Sequence, residues 1–263
     1  MENNKRKGAR TQKDIPTPIL EQLNKGIIES VNLTEWLAVN HLSLIEQVLP
    51  SEYQPDCIRS IDELKSKSVM SMIKAIGKSL CKQLEQKEDN QLLGILGTHI
   101  SDSVRCWAAY IIGSNIQLSV EEKLQLIHPF AADLHFGVRE ISWMAVREDI
   151  NKNLERIIPI LEIWSKDEDA NIRRFSSESI RPNGVWSRKI EKLKDNPEIA
   201  LCILENLKSD SSKYVQDSVG NWLNDAGKTK PEFVIELCKR WEKENQTTAT
   251  TYIIKRALRT LNK

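Results

Sequence analysis

One short pattern returns through the second half of this 263-residue sequence, and no other feature constrains the fold as much. It reads Ser101-Asp102-Ser103-Val104-Arg105, then Phe136-Gly137-Val138-Arg139, Asp169-Ala170-Asn171-Ile172-Arg173 and Ser212-Lys213-Tyr214-Val215-Gln216, with a weaker copy at Tyr252-Ile253-Ile254-Lys255. The β-branched anchors Val104, Val138, Ile172, Val215 and Ile254 stand 34, 34, 43 and 39 residues apart. Each opens a helical stretch, and a second stretch, such as 120–128 or 154–164, lies between anchors. One helix pair per roughly 34–47 residues is the period of tetratricopeptide and HEAT-type arrays. The tetratricopeptide consensus is missing, whereas Asp-x-x-Val-Arg opening the second helix is HEAT-like. The sequence thus predicts an all-α, HEAT-like helical-repeat solenoid with a concave groove.

The repeat phase sorts inside from outside. With the anchor as zero, offsets 0, 3, 4, 7 and 8 share one helix face. They read Val104, Trp107, Ala108, Ile111 and Ile112 in the first copy, and Val215, Ser218, Val219, Trp222 and Leu223 in the fourth. This is the expected core, with Trp107 and Trp222 as structural residues. Offsets 2, 6 and 9 define the opposite face: Glu140, Met144 and Arg147, with Trp143 alongside, then Arg174, Glu178 and Arg181, then Asp217, Asn221 and Asn224. Second helices of successive repeats line the concave side of a solenoid, so these residues are expected to share one groove, with Trp143 facing solvent. Upstream, helices are expected near 17–30, 33–48, 57–84 and 90–99. The predicted organisation is a basic, disordered arm over 1–14, then one α-solenoid domain over 15–263, with N-terminal helices to residue 100 and repeats from 101.

Charge bears on the class of partner. The net charge is +1, but residues 1–13 alone carry five basic side chains and Glu2. The body is therefore slightly acidic, and binding a polyanion would need a local basic stripe. Five dispersed cysteines without a C-x-x-C pair indicate neither a disulfide framework nor a zinc site, and fit a reducing cytoplasm. No secretory signal or membrane-length apolar run is read. Phosphate loops, dinucleotide fingerprints, nucleophile elbows and His/carboxylate metal clusters are not found, so neither metal nor cofactor is expected.

The strongest candidate motif is Arg173-Arg174-Phe175-Ser176-Ser177-Glu178-Ser179-Ile180-Arg181-Pro182-Asn183-Gly184-Val185-Trp186. Arg174, Glu178 and Arg181 follow one another at one-turn spacing. Pro182 stops the helix, and Asn183-Gly184 turns the chain to deliver Trp186 near its end. An aromatic beside a carboxylate and two guanidiniums can stack on a base while the arginines hold phosphates. An exposed i,i+4 ion pair, worth about 0.3–0.5 kcal/mol, explains the same spacing without any chemistry. Asp225 ends the fourth second-helix at the groove edge.

These residues resemble the HEAT-like-repeat alkylpurine DNA glycosylases of the AlkC and AlkD type, with the likeness closest to AlkC. The resemblance runs over nearly the whole chain: Lys7-Gly8-Ala9, Ile15-Pro16, Leu23-Asn24, Asn32-Leu33-x-Glu35-Trp36-Leu37-Ala38, Val138-Arg139-Glu140, the third-repeat string and Leu223-Asn224-Asp225. It implies a monofunctional base-excision repair enzyme, cytoplasmic and nucleoid-associated, commonly monomeric. Such an enzyme hydrolyses the N-glycosidic bond of cationic N-alkylated bases in double-stranded DNA, chiefly 3-methyladenine, with 3-methylcytosine associated with AlkC-like members. By position it implies Glu178 and Asp225 as catalytic acids supported by Glu140, Trp186 as the lesion-contacting aromatic, and Arg174 and Arg181 as DNA-contacting cations. Trp143, Arg139 and Arg147 complete the expected lesion- and DNA-binding set. Some relatives carry a further immunoglobulin-like domain; no such β segment precedes Lys263. The rival expectation is a non-enzymatic HEAT scaffold that holds protein or DNA in the same groove.

Overall fold

The computed structural model describes residues 6–184, 187–244 and 246–261. Among them every regular element is helical, and the chain divides into two compact units.

The first unit comprises Met1–Ser119 and Asp133–Ala145. It holds α1 (Thr17–Asn24), α2 (Leu33–Trp36), α3 (His41–Val48), α4 (Gln54–Asp62), α5 (Val69–Lys87), α6 (Leu92–Gly97) and α7 (Asp102–Ser114). The long helices expected at 33–48 and 57–84 are each broken by a cap. Asn40 accepts from the Leu42 and Ser43 amides, and Ser68 from the Ser71 amide, so each starts a new helix where an uncapped one would leave orphan donors. Trp36, Trp107 and Trp143 fill the core with Ile73, Ile76 and Leu80. From Arg6 onward the expected disordered arm is tied down. The Arg6 guanidinium holds buried Glu35 (Nη2–Oε2 2.8 Å), and Asn32 Nδ2 donates to the Ala9 carbonyl at 2.8 Å. A buried carboxylate needs a partner, and Arg6 supplies it.

The second unit comprises Val120–Ala132 and Val146–Lys263. Its helices are α8 (Val120–Ala131), the latter part of α9 (Phe136–Lys152), α10 (Leu154–Trp164), α11 (Ala170–Glu178), α12 (Glu191–Asp195), α13 (Leu201–Leu207), α14 (Lys213–Ala226), α15 (Pro231–Glu244) and α16 (Thr248–Ala257). The anchors Val104, Val138, Ile172 and Val215 are each the third residue of α7, α9, α11 and α14, and all are buried. The weak fifth copy is out of phase as read from Ile254. The third residue of α16 is Thr250, thirty-five residues after Val215, and Thr250, Ile253 and Ala257 form its buried stripe.

The arginine after each anchor has a structural task. Arg105 Nη1 donates to the His99 and Ile100 carbonyls, Arg139 Nη1 to those of Asp133 and Leu134, and Arg173 Nη1 to those of Asp167 and Glu168. Gln216 repeats the contact in α14, donating to the Asp210 carbonyl. Turn carbonyls six and five residues before each arginine would otherwise lack donors. Arg139, expected to contact DNA, thus pins the turn that starts its own helix.

Candidate active site

Pro182 and the chain reversal after α11 determine the local geometry. Proline lacks an N–H and restricts the residue before it. The helix ends at Glu178, so Arg181 lies beyond it rather than on the same helix as expected; its amide donates to the Glu178 carbonyl at 3.3 Å. The carbonyls left past the helix end are met by buried side chains. Arg147 donates to Ser179 O and Arg181 O, and Trp222 Nε1 donates to Ile180 O at 3.0 Å. Orphan carbonyls at a helix C-terminus call for such donors. Residues 185 and 186 fall outside the described ones, so the expectation for Trp186 does too.

Arg181 is the centre of the site. It reaches back to Glu178 (Nη1–Oε1 2.9 Å) and across to Asp225 on α14 (Nη2–Oδ2 2.7 Å, Nε–Oδ2 3.1 Å). The other oxygen of Glu178 accepts from Ser218 Oγ at 2.7 Å, and Arg174 Nη2 stands 3.6 Å from it. The other oxygen of Asp225 accepts from Lys228 Nζ at 2.9 Å. Arg174 also lies over the Tyr214 ring, 4.1 Å from its centroid. Two acids from separate repeats therefore converge on one guanidinium.

The convergence is closed rather than open. Glu178 and Asp225 are each 3% exposed, and Arg181 is 7% exposed. The expected solvent-facing groove face is here the buried seam between α11 and α14. Burial opposes ionisation of Glu178, but the Arg174 and Arg181 charges and the Ser218 and Arg181 hydrogen bonds outweigh it and hold its pKa below the ordinary value. The same balance, burial against the two carboxylates, raises that of Arg181. Glu178 is therefore an anion at neutral pH, suited to stabilise positive charge or accept a proton and unsuited to donate one. Arg147, Arg174, Arg181 and Lys228 outnumber the two acids, which gives the unit a local cationic excess despite the nearly neutral chain.

Other expected site residues fall elsewhere. Trp143 is 1% exposed, packed in the first unit's core with Nε1 donating to Glu140 Oε2 at 2.9 Å, and does not face solvent. Its indole is large and apolar enough that burial outweighs exposure beside charged neighbours. Glu140 is the acceptor of that bond. Arg147 is buried and donates to main-chain carbonyls, rather than standing on an open groove face. Asn224 donates to Ala257 O and Thr260 Oγ1, and Asp217 and Asn221 serve Tyr252 and Arg256. Ser218, read from the sequence as a small core residue, is the site residue that the periodicity missed. The usable signal was its register, since α14 packs against α11. Among the described residues no group of His, Cys, Asp and Glu could hold a metal ion, and no helix is long and apolar enough to cross a membrane.

Residues 142–261 match the model of the DNA alkylation repair enzyme family. The matched stretch contains Arg147, Arg174, Glu178, Arg181, Ser218 and Asp225, and the third-repeat string and Leu223-Asn224-Asp225 fall within it. The YhaZ protein of Bacillus subtilis (strain 168) is 39% identical over 122 residues, which cover 46% of this chain and 34% of YhaZ. The fold is similar to that of Pseudomonas fluorescens alkylpurine DNA glycosylase AlkC, solved bound to DNA containing an abasic site analog. The TM-score is 0.67 at 23% identity, over 97% of this chain and 66% of that one. AlkD2 from Streptococcus mutans is similar with a TM-score of 0.55 at 22% identity, over 83% of this chain and 96% of that one. These likenesses show the HEAT-like helical-repeat fold. The chain spans about a third of the length of YhaZ and about two thirds of the AlkC chain.

Proposed function

We propose that this chain is a DNA glycosylase that releases cationic N-alkylated bases from double-stranded DNA by hydrolysis, with 3-methyladenine as the chief substrate and 3-methylcytosine as a second. The observation that carries the reading is the meeting of Glu178 and Asp225 on Arg181 inside the stretch that matches the alkylation-repair family. The fold shared with a DNA-bound alkylpurine glycosylase supports it.

The chemistry suits an ionised acid pair. An alkylated base that already carries positive charge is a good leaving group and needs no general acid. What remains is to stabilise the oxocarbenium-like sugar and to orient water against it. Carboxylates do both, since their charge favours the sugar cation and an oxygen accepts a proton from water. Neutral, undamaged bases do not leave under such assistance, so selectivity comes in part from the lesion's own lability. Arg174 and the cationic excess around the acids suit the phosphates on either side. Glu140 belongs to this proposal as a supporting acid, and a monomeric, nucleoid-associated cytoplasmic protein is the corresponding cellular form.

The test incubates the protein with methylated DNA and separates the released bases by chromatography. Release of 3-methyladenine by the natural protein, lost in Glu178→Gln and in Asp225→Asn, is the expected result. No release by the natural protein, with lesion-independent DNA or protein binding instead, would favour a HEAT scaffold.

A further inference from the structure

Arg147 is a buried cation that the proposed chemistry leaves unused. It is 4% exposed and donates three hydrogen bonds to main-chain carbonyls. Nη1 donates to Ser179 O at 2.6 Å, Nη2 to Arg181 O at 2.5 Å and Nε to Arg188 O at 3.2 Å. The three acceptors lie at the helix end, at the arginine that joins the two acids, and on the far side of the loop that follows. One planar fork thus ties Ser179, Arg181 and Arg188 together. A guanidinium has five fixed donors, whereas a lysine ammonium is a single point charge on a flexible stem.

Other contacts reach this stretch, Trp222 Nε1 to Ile180 O and the Arg181 guanidinium to both acids. Its own polar side chains Asn183 and Ser187 leave Oδ1 and Oγ buried without a partner, and Ser179 Oγ at the helix end is likewise unmatched. Across the loop the Ile190 amide donates to Pro182 O at 3.0 Å. Gly184 shows how close the fit is. A Cβ there would lie 2.8 Å from Arg147 Nη2, 2.9 Å from its Cζ and 2.2 Å from Ser187 Oγ. Burial lowers the Arg147 pKa to about 10, with the Arg181 charge adding to that and Glu178 and Asp225 opposing it, so the group is still charged at neutral pH. A buried charge is costly to maintain. The contact that offsets this cost is the one that sets where the Arg181 backbone lies.

We infer that Arg147 is a positioning residue: its guanidinium clamps the Ser179, Arg181 and Arg188 carbonyls together and thereby places Arg181 between Glu178 and Asp225. The inference rests on the glycosylase reading for its catalytic consequence, but the clamp itself is independent of it. A misplacement of about 1 Å can cost about 100-fold in rate, which sets the scale expected.

Two variants and two readouts test it. Arg147→Ala removes the fork, and Gly184→Ala crowds it from the loop side while keeping the charge and the core. Amide hydrogen exchange reports the clamp through the Ile190 amide, and single-turnover base release reports its effect on chemistry. Both variants should speed exchange at Ile190 at least 10-fold. They should slow release about 10- to 100-fold with the Kd for DNA changed less than threefold. Guanidinium ion added at millimolar concentration should restore both readouts in Arg147→Ala, and Arg147→Lys should not. Full activity in Arg147→Lys, or unchanged exchange in Gly184→Ala, would overturn the inference. If the natural protein released no base, the glycosylase reading would fail, while exchange and its guanidinium rescue would still decide the clamp. If Arg147→Ala failed to fold, Gly184→Ala would decide it.

Discussion

Replacing Ser218 by alanine should separate the role of Glu178 as an anion from its role as a structural partner. The hydroxyl donates to Glu178 Oε2 at 2.7 Å, and Ser177 Oγ stands 2.9 Å from the hydroxyl while also donating to Arg174 O. Removing it leaves that oxygen with Arg174 at 3.6 Å, a weak substitute. A hydrogen bond to a charged acceptor contributes about 1.5–3 kcal/mol. Alanine returns up to about 0.7 kcal/mol of helix propensity in α14, so a net loss of about 1–2 kcal/mol is expected in urea unfolding at neutral pH. The sign with pH follows from the direction of the shift. Glu178 is held below its ordinary value, because opposing burial is outweighed by Arg174, Arg181 and Ser218. Its stabilisation is therefore present above the unfolded carboxylate range and lost as pH falls through the folded pKa. Without Ser218 the folded pKa rises, and the acid limb of single-turnover base release moves upward in pH while the plateau survives in part. The assay is a pH–rate profile of base release on methylated DNA, corrected for spontaneous loss. An acid limb that stays in place, with stability unchanged, would show that Ser218 is only a small residue at a helix contact.

Further expectations concern the residues whose roles the fold reassigned. Trp143→Ala should cost about 3–5 kcal/mol through the cavity left in the first unit's core; a loss of activity without loss of stability in urea would restore Trp143 as a lesion contact. Arg6→Ala should destabilise by about 1–3 kcal/mol, because buried Glu35 loses its guanidinium, and an unchanged melting temperature would return residues 6–14 to the status of a loose arm. Arg173→Ala should also destabilise, since it removes two turn carbonyl bonds and the pair with Asp210 (Nε–Oδ2 2.6 Å). It should leave the salt dependence of DNA binding unaltered, and a flatter dependence would place Arg173 on phosphate instead.

Much of this protein was legible in the residues alone, because the helical period is local. The β-branched anchors, their roughly 34-residue return and the apolar offsets after each follow from 3.6 residues per turn, and they located four buried helix starts and the structural tryptophans Trp107 and Trp222. The pairing of Glu178 with Asp225 was likewise available, through the resemblance carried by the third-repeat string. Periodicity misjudged what happens when two such helices meet. It assigned Trp143, Arg147 and Arg181 to an open face, but a face exposed on one helix is covered when the next second-helix packs beside it, as α14 does on α11. It also extended the third-repeat helix past Glu178, because the donors that stop the chain there, Arg147 and Trp222, are 32 and 42 residues away in sequence. Sequence spacing determined which residues share a helix face. Only the tertiary contacts decided which of those faces are buried and which cation stands between the two acids, because desolvation and ion pairing depend on neighbours that the chain brings together from separate repeats.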